Sequence, residues 1–200
     1  MSTRLTLLPD ERFLPLRERL RERVRDAAAA IDASTFRELL DPLMRAVLED
    51  AFRTAEADEG SVWLADDAQE HLVVAFNTGR TAERLENAFR QPLSRGLVSM
   101  VFRNGQPFCE NDVYLNASQD GTLDRSLDVL TCAMIAVPFG FANEIRGVIS
   151  CVKLKPASST EPDPSAFSPT DLNHVQRAGA TLSRLLDFHL VATVVGWNRR

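Results

Sequence analysis

The sequence predicts an α+β domain in which antiparallel hairpins lie between long helices, and three stretches carry that expectation. From Met134 to Lys155, two apolar runs rich in β-branched residues flank a short polar turn; the first ends at Pro138 and the second opens with Gly147, the pattern of a buried antiparallel hairpin. Ser61 to Leu64 and His71 to Asn77 form a second hairpin around an Asp66-Asp67 turn. Apolar residues recur at helical spacing near both ends of the chain, from Leu16 to Ile31 and again from Leu172 to Leu190.

Composition bounds what such a domain can be. The 200 residues are 44% hydrophobic, enough for one ordinary globular core without a staple. A formal charge of −5 and a pI near 5.3 argue against nonspecific nucleic-acid binding, which depends on clustered Lys and Arg displacing counterions. The three cysteines, Cys109, Cys132 and Cys151, are odd in number and lack CxxC spacing, and the amino terminus has no long apolar signal core, so a reducing, cytoplasmic setting is expected. The most apolar stretch, Leu185 to Trp197, is interrupted by Asp187 and His189, so no membrane span is expected.

The elements follow in order. The first helix carries Leu16, Leu20, Val24, Ala27, Ala28 and Ile31 on a narrow stripe; its arginines from Arg12 to Arg25 are mixed with Glu11, Glu18, Glu22 and Asp26, which gives a salt-bridged solvated face or, alternatively, an anionic-partner site. Asp32 to Thr35 offers caps for a second helix with Phe36, Leu39, Leu40, Leu43, Val47, Leu48 and Phe52 on its apolar face, restarted or kinked at Pro42. After the first hairpin, Arg84 to Phe102 is mostly helical in pattern, broken by Pro92 and Gly96 and ended by Asn104-Gly105 as a left-handed cap. Gln106 to Asn111 is a short extended piece, and Asp112 to Asp128 is polar and irregular. Beyond the second hairpin, the prolines and polar residues of 156–169 make a loop, and Ser168-Pro169-Thr170-Asp171 starts the closing helix with a cap, a first-turn proline and a capping-box acid.

Six short matches now occur in order: Asp58-Glu59-Gly60-Ser61-Val62-Trp63-Leu64, Gly96-Leu97-Val98, Gly105-Gln106-Pro107-Phe108, Val137-Pro138, Gly147-Val148-Ile149, and Phe167-Ser168-Pro169-Thr170-Asp171-Leu172. Together they resemble the GAF domain family, with a PAS-like domain as the lesser option. The resemblance implies a central antiparallel sheet with helices on both faces (a profilin-like, PAS-related layout), long N- and C-terminal helices on one face, and a ligand pocket on the other roofed by the irregular segment. It divides the chain into an N-terminal helical arm (1–34), the GAF domain (35–191) and a C-terminal tail (192–200).

The function that the resemblance implies is sensory or regulatory, in a stand-alone domain that binds a small molecule or transmits a signal, with no cofactor identified. The Asn-Lys-x-Phe-Asp-Glu motif of cyclic-nucleotide binders is absent, and none of His71, His174 or His189 follows a Cys as bilin attachment requires. No residues have metal-ligand spacing. Free methionine-(R)-sulfoxide reductases are GAF proteins working through cysteine, and Cys109 lies near one of their cysteine positions; here, however, Val98 stands at the other position and Asn116 to Asp128 holds no Cys.

Two uses of the second hairpin remain open. With the turn centred on Ala142-Asn143, Met134 faces Cys151, Cys132 faces Lys153, and one sheet face carries the small side chains Cys132, Met134, Ala136, Ile149 and Cys151, suited to close helix packing or to a ligand. For the ligand reading, Phe76, Phe108 and Tyr114 supply walls, Cys132 and Met134 the floor, and Asn77, Arg95, Asn111 and Asp112 the polar contacts. Each polar residue has a plainer use: Asn77 turning the chain, Arg95 pairing with an acid, Asp112 capping a helix. The third expectation is a dimerisation or interaction scaffold without a ligand, a homodimer through the terminal helices, with the apolar tail Val191 to Trp197 buried against a partner or the arm.

Overall fold

A computed structural model describes residues 11–197; the first ten residues of the arm and the last three of the tail lie outside them. After a 3-10 turn over Glu11–Leu16, the elements are α1 (Arg17–Ala29), α2 (Ala33–Leu39), α3 (Pro42–Thr54), β1 (Glu59–Ala65), β2 (His71–Asn77), α4 (Ala82–Leu85), β3 (Arg90–Pro92), α5 (Leu97–Asn104), β4 (Phe108–Glu110), α6 (Thr122–Leu127), β5 (Val129–Phe141), β6 (Glu144–Pro156) and α7 (Pro169–Val194). A second 3-10 turn spans Val113–Leu115.

The expected helix punctuation is present. The Asp32 carboxylate accepts from the backbone N–H groups of Ser34 and Thr35, Asp41 caps α3 with Pro42 at its first turn, and Ser168 and Asp171 form a reciprocal capping box at the start of α7. Gly105, at φ 63°, ends α5 in the left-handed region.

The six strands among the described residues join one antiparallel sheet in the order β3-β2-β1-β6-β5-β4. Period-two alternation separates its faces. Val62, Leu64, Val73, Ala75, Ile135, Val137, Ile149 and Cys151 pack beneath α1, α2, α3 and α7, whereas Trp63, Leu72, Val74, Met134, Ala136 and Val148 pack with Leu85, Leu97, Val98, Val101 and Val113 on the opposite side. The α+β fold and its two helical layers are therefore as the sequence suggests.

Besides the short helix α6 inside the segment expected to be irregular, two details differ from expectation. The segment read as mostly helical contains the edge strand β3, because Asn87 at φ 61° breaks the helix and His71, Leu72 and Val73 pair with Pro92, Gln91 and Arg90. Pro92 is tolerated there because an edge strand does not require its N–H. The second difference is the hairpin register. Ala142 and Asn143 do form the turn, at φ 55° and 64°, but one register shift near Phe139 and Gly140 and another between Thr131 and Ala133 slide the middle of the hairpin by one residue. Met134 therefore pairs with Val152 instead of Cys151, and Ala133 takes the place of Cys132 opposite Lys153. Ile149 and Cys151 turn to the helical layer, and Val148, Ser150 and Val152 join Met134 on the other.

Candidate functional site

The sheet face opposite the terminal helices holds a cavity of about 70 Å³. Its floor is the alternating set Glu59, Ser61 and Trp63 of β1, with Met134 of β5 and Ser150 and Val152 of β6; Leu97 and Val98 of α5 form one wall, and residues 119–127, carrying α6, form the roof. A comparable engineered void of ~150 Å³ holds a benzene molecule, so this one admits only a few heavy atoms unless the roof shifts.

Polar groups line an otherwise apolar chamber, and most are already committed. The Trp63 indole N–H donates to Ser150 Oγ at 2.9 Å, and the Asn77 side-chain amide donates to Ser61 Oγ at 2.9 Å. Each serine hydroxyl thereby acts as acceptor and retains a proton to donate. Gln91 Nε2 donates to the Arg95 carbonyl at 3.0 Å and to Asp120 at 3.1 Å, binding β3 to the roof. Gly96, at φ 88°, makes this possible, since a Cβ there would stand 2.8 Å from Gln91 Nε2. Thr131 donates its N–H and hydroxyl to the two Asp124 oxygens, at 3.0 and 2.8 Å, fastening α6 to β5.

Electrostatically the chamber is acidic. Burial raises the Glu59 carboxyl above its ordinary value, opposed by the neighbouring Asn77 amide and reinforced by the Asp58 charge. Burial acts in the same direction on Asp120, but its hydrogen bonds from Thr122 and Gln91 and the Arg95 charge outweigh that effect and hold it below the usual carboxylate range.

Of the residues expected to contact a ligand, Asn77 and Met134 line the cavity. The others lie elsewhere. A bulge in the β1–β2 ladder turns Phe76 to the helical side, where the Arg45 guanidinium lies 5.2 Å from its ring centre. Arg95 pairs with Asp120 at 2.8 Å on the outer side of the roof, and Phe108 packs at the margin of the pocket-side core. Asn111 exchanges two hydrogen bonds with the Phe167 backbone, at 2.8 and 3.1 Å, while the Tyr114 hydroxyl donates to Asp163 at 2.7 Å; both side chains tie the proline-rich loop to the sheet. Asp112 makes no side-chain capping bond to the 3-10 turn after it. Cys132, at the register shift, is buried and directed to the Leu130 carbonyl at 3.7 Å.

Glu59, Ser61, Trp63, Thr131 and Ser150 were missed. Their signal was available: Ser61, Thr131 and Ser150 are polar positions inside otherwise apolar strands, and Glu59, Ser61 and Trp63 share one face at period two.

The GAF domain family model matches residues 33–187. The chain belongs to the GAF domain family. GAF domains are sensory and regulatory modules that bind small molecules, and solved structures of this GAF chain's relatives share its fold. The blue-light-absorbing form of the PixJ GAF domain from Thermosynechococcus elongatus superposes at TM-score 0.60 and 15% identity, covering 84% of this chain and 97% of that one. The GAF-B domain of DevS from Mycobacterium smegmatis aligns at TM-score 0.54 and 18% identity, over 74% and 95%. A type II free methionine-R-sulfoxide reductase from Thermoplasma acidophilum aligns at TM-score 0.55 and 17% identity, over 78% and 95%. No curated protein matches the sequence.

The thiols of this GAF domain sit outside its cavity lining. Cys109 is half-buried on edge strand β4 and pairs with Ile135, which in turn pairs with Cys151, so the two sulfurs lie on strands about 9–10 Å apart, beyond disulfide reach. Burial, then the charges of Glu110 and Asp171, push the Cys109 thiol up; burial pushes Cys151 to about 12. Burial, with Asp163 next, also raises Cys132. A nucleophilic cysteine needs the opposite shift. Among the described residues, no His, Cys, Asp and Glu cluster suits a metal ion, and no helix is long and apolar enough to cross a membrane.

Proposed function

We propose that this GAF domain is a noncatalytic small-molecule sensor. The roofed, largely apolar cavity with convergent polar groups carries the reading, because it is the one described hollow that combines apolar walls with inward-facing hydroxyl, amide and carboxyl groups. The raised thiols weigh against the sulfoxide-reductase alternative, and three unpaired cysteines suit a reducing, cytoplasmic compartment. Native mass spectrometry of freshly purified protein, followed by thermal melts against a metabolite panel, tests the sensor. A ligand at a hundred times its dissociation constant adds about 2.7 kcal/mol, which raises the melting temperature by roughly 5–10 °C. Val152→Phe, which fills the chamber from its floor, is expected to abolish that shift. A panel that moves neither protein, with no retained mass, overturns the sensor; thiol-dependent reduction of free methionine sulfoxide that is lost in Cys109→Ser selects the enzyme.

A second observation favours a homodimer through the terminal helices. α1 lies along α7, and Phe188 of α7 is exposed in the single chain together with Leu16, just before α1, and Val195 and Trp197, just after α7, Trp197 at 74%. Phe188 and Val195 are seven residues apart, the spacing of a helical seam. A second copy would cover these side chains and continue the layer of α1 and α7 into a bundle. Light scattering should give twice the chain mass for the native protein and a single chain mass for Phe188→Glu; a monomeric native protein at micromolar concentration rejects the pairing.

A further inference from the structure

We propose that the cavity takes a small organic cation, an ammonium group on a short apolar body, with Glu59 as its charge partner. This rests on the sensor reading above and specifies its chemistry. Among the described residues, every charged residue lining the chamber is an acid, namely Glu59, Asp120 and Asp124, and none is Lys, Arg or His. Two of those acids are already answered. Asp120 holds Arg95, Gln91 and Thr122, and both Asp124 oxygens accept from Thr131.

Glu59 differs. No salt bridge reaches it among the described residues, and its polar neighbour is the Asn77 amide. The chain makes room for its carboxyl: a Cβ at Gly79 would stand 2.1 Å from the Glu59 carboxyl carbon, so this glycine leaves the pocket that the group occupies. Burial and the adjacent Asp58 both act against its negative form, and an ammonium beside it would relieve both effects. Trp63, Leu97 and Met134 offer apolar contact for the remainder of the ligand. A carboxylate or phosphate of the same size would instead meet like charge in a partly desolvated site. At about 70 Å³, the space suits a body of a few carbons.

The test is an NMR titration of the isotope-labelled full chain with isobutylammonium, isobutanol and isobutyrate at neutral pH and equal ionic strength. Isobutylammonium is expected to shift the Trp63 indole N–H and to bind about tenfold or more tightly than isobutyrate, with isobutanol between them. Glu59→Gln should bring the ammonium to within about twofold of the alcohol, with the amide dispersion of the variant's own spectrum showing that it is folded. Isobutyrate binding as tightly as isobutylammonium overturns the inference on the native protein alone; so does an ammonium preference that survives Glu59→Gln. Isobutanol shifting Trp63 without any charge preference removes the inference and leaves the sensor standing. No cavity shift with any of the three removes both.

Discussion

A methyl group added at Gly147 is expected to lower stability by about 3 kcal/mol or more and the melting temperature by roughly 6–12 °C. Gly147 lies in the centre of the sheet, paired with Leu64 on one side and Phe139 on the other. Its Cβ would be placed 1.9 Å from the Trp63 carbonyl oxygen and 2.7 Å from the Phe139 ring. A ring edge can yield; a backbone carbonyl in a ladder cannot do so without separating β1 from β6 and losing hydrogen bonds along both. Gly179 in α7 supplies the contrast, since its Cβ would meet Ile149 and Val137 at 3.5 Å, ordinary contact. Gly179→Ala should therefore stabilise by about 0.5–1 kcal/mol through helix propensity. Denaturant melts of both variants check the pair. A Gly147→Ala protein that melts with the native one would mean that β1 and β6 are paired in another register.

Much of this architecture is legible in the residues themselves. Asp32, Asp41 with Pro42, Ser168 with Pro169, and Gly105 announce helix ends because capping is local chemistry, decided within a few positions of the chain. The Ala142-Asn143 turn is legible for the same reason. What escaped was non-local. Whether Met134 faces Cys151 or Val152 depends on extra residues accommodated near Arg146 and Cys132, and such bulges leave no periodicity signal, yet a one-residue slip exchanges the faces. Phe76 left the ligand set through the same kind of irregularity in β2. Asn111 and Tyr114 look like pocket residues in sequence because they are polar or amphipathic in a polar segment; their partners, Phe167 and Asp163, lie in a loop about fifty positions on. Glu59 belongs to one of the family matches, but its place in the site depends on Gly79 and Asn77 across the ladder, which the local sequence does not reveal.

Phe36→Ala should be the costliest truncation in the helical layer, at about 3–5 kcal/mol, with a melting temperature lower by roughly 10 °C. The ring is fully buried between α2 and the sheet, tilted against Phe139 at a centroid distance of 6.2 Å. α2 is seven residues long and relies on one capping box, so its position depends on that ring. The void cannot close easily, because β5 below and α3 beside it are held by their own neighbours. Against a typical total of about 5–15 kcal/mol this is a large fraction, yet its consequence for binding should be small. Phe36 and the cavity lie in different cores, separated by the sheet. Below its melting temperature, Phe36→Ala should therefore bind isobutylammonium within about twofold of the native affinity, because packing faults on one face leave the other face's hydrogen bonds intact. A large loss of affinity would show instead that the sheet transmits strain between its layers, and a melting temperature unchanged by the truncation would mean that α2 is not seated on Phe139.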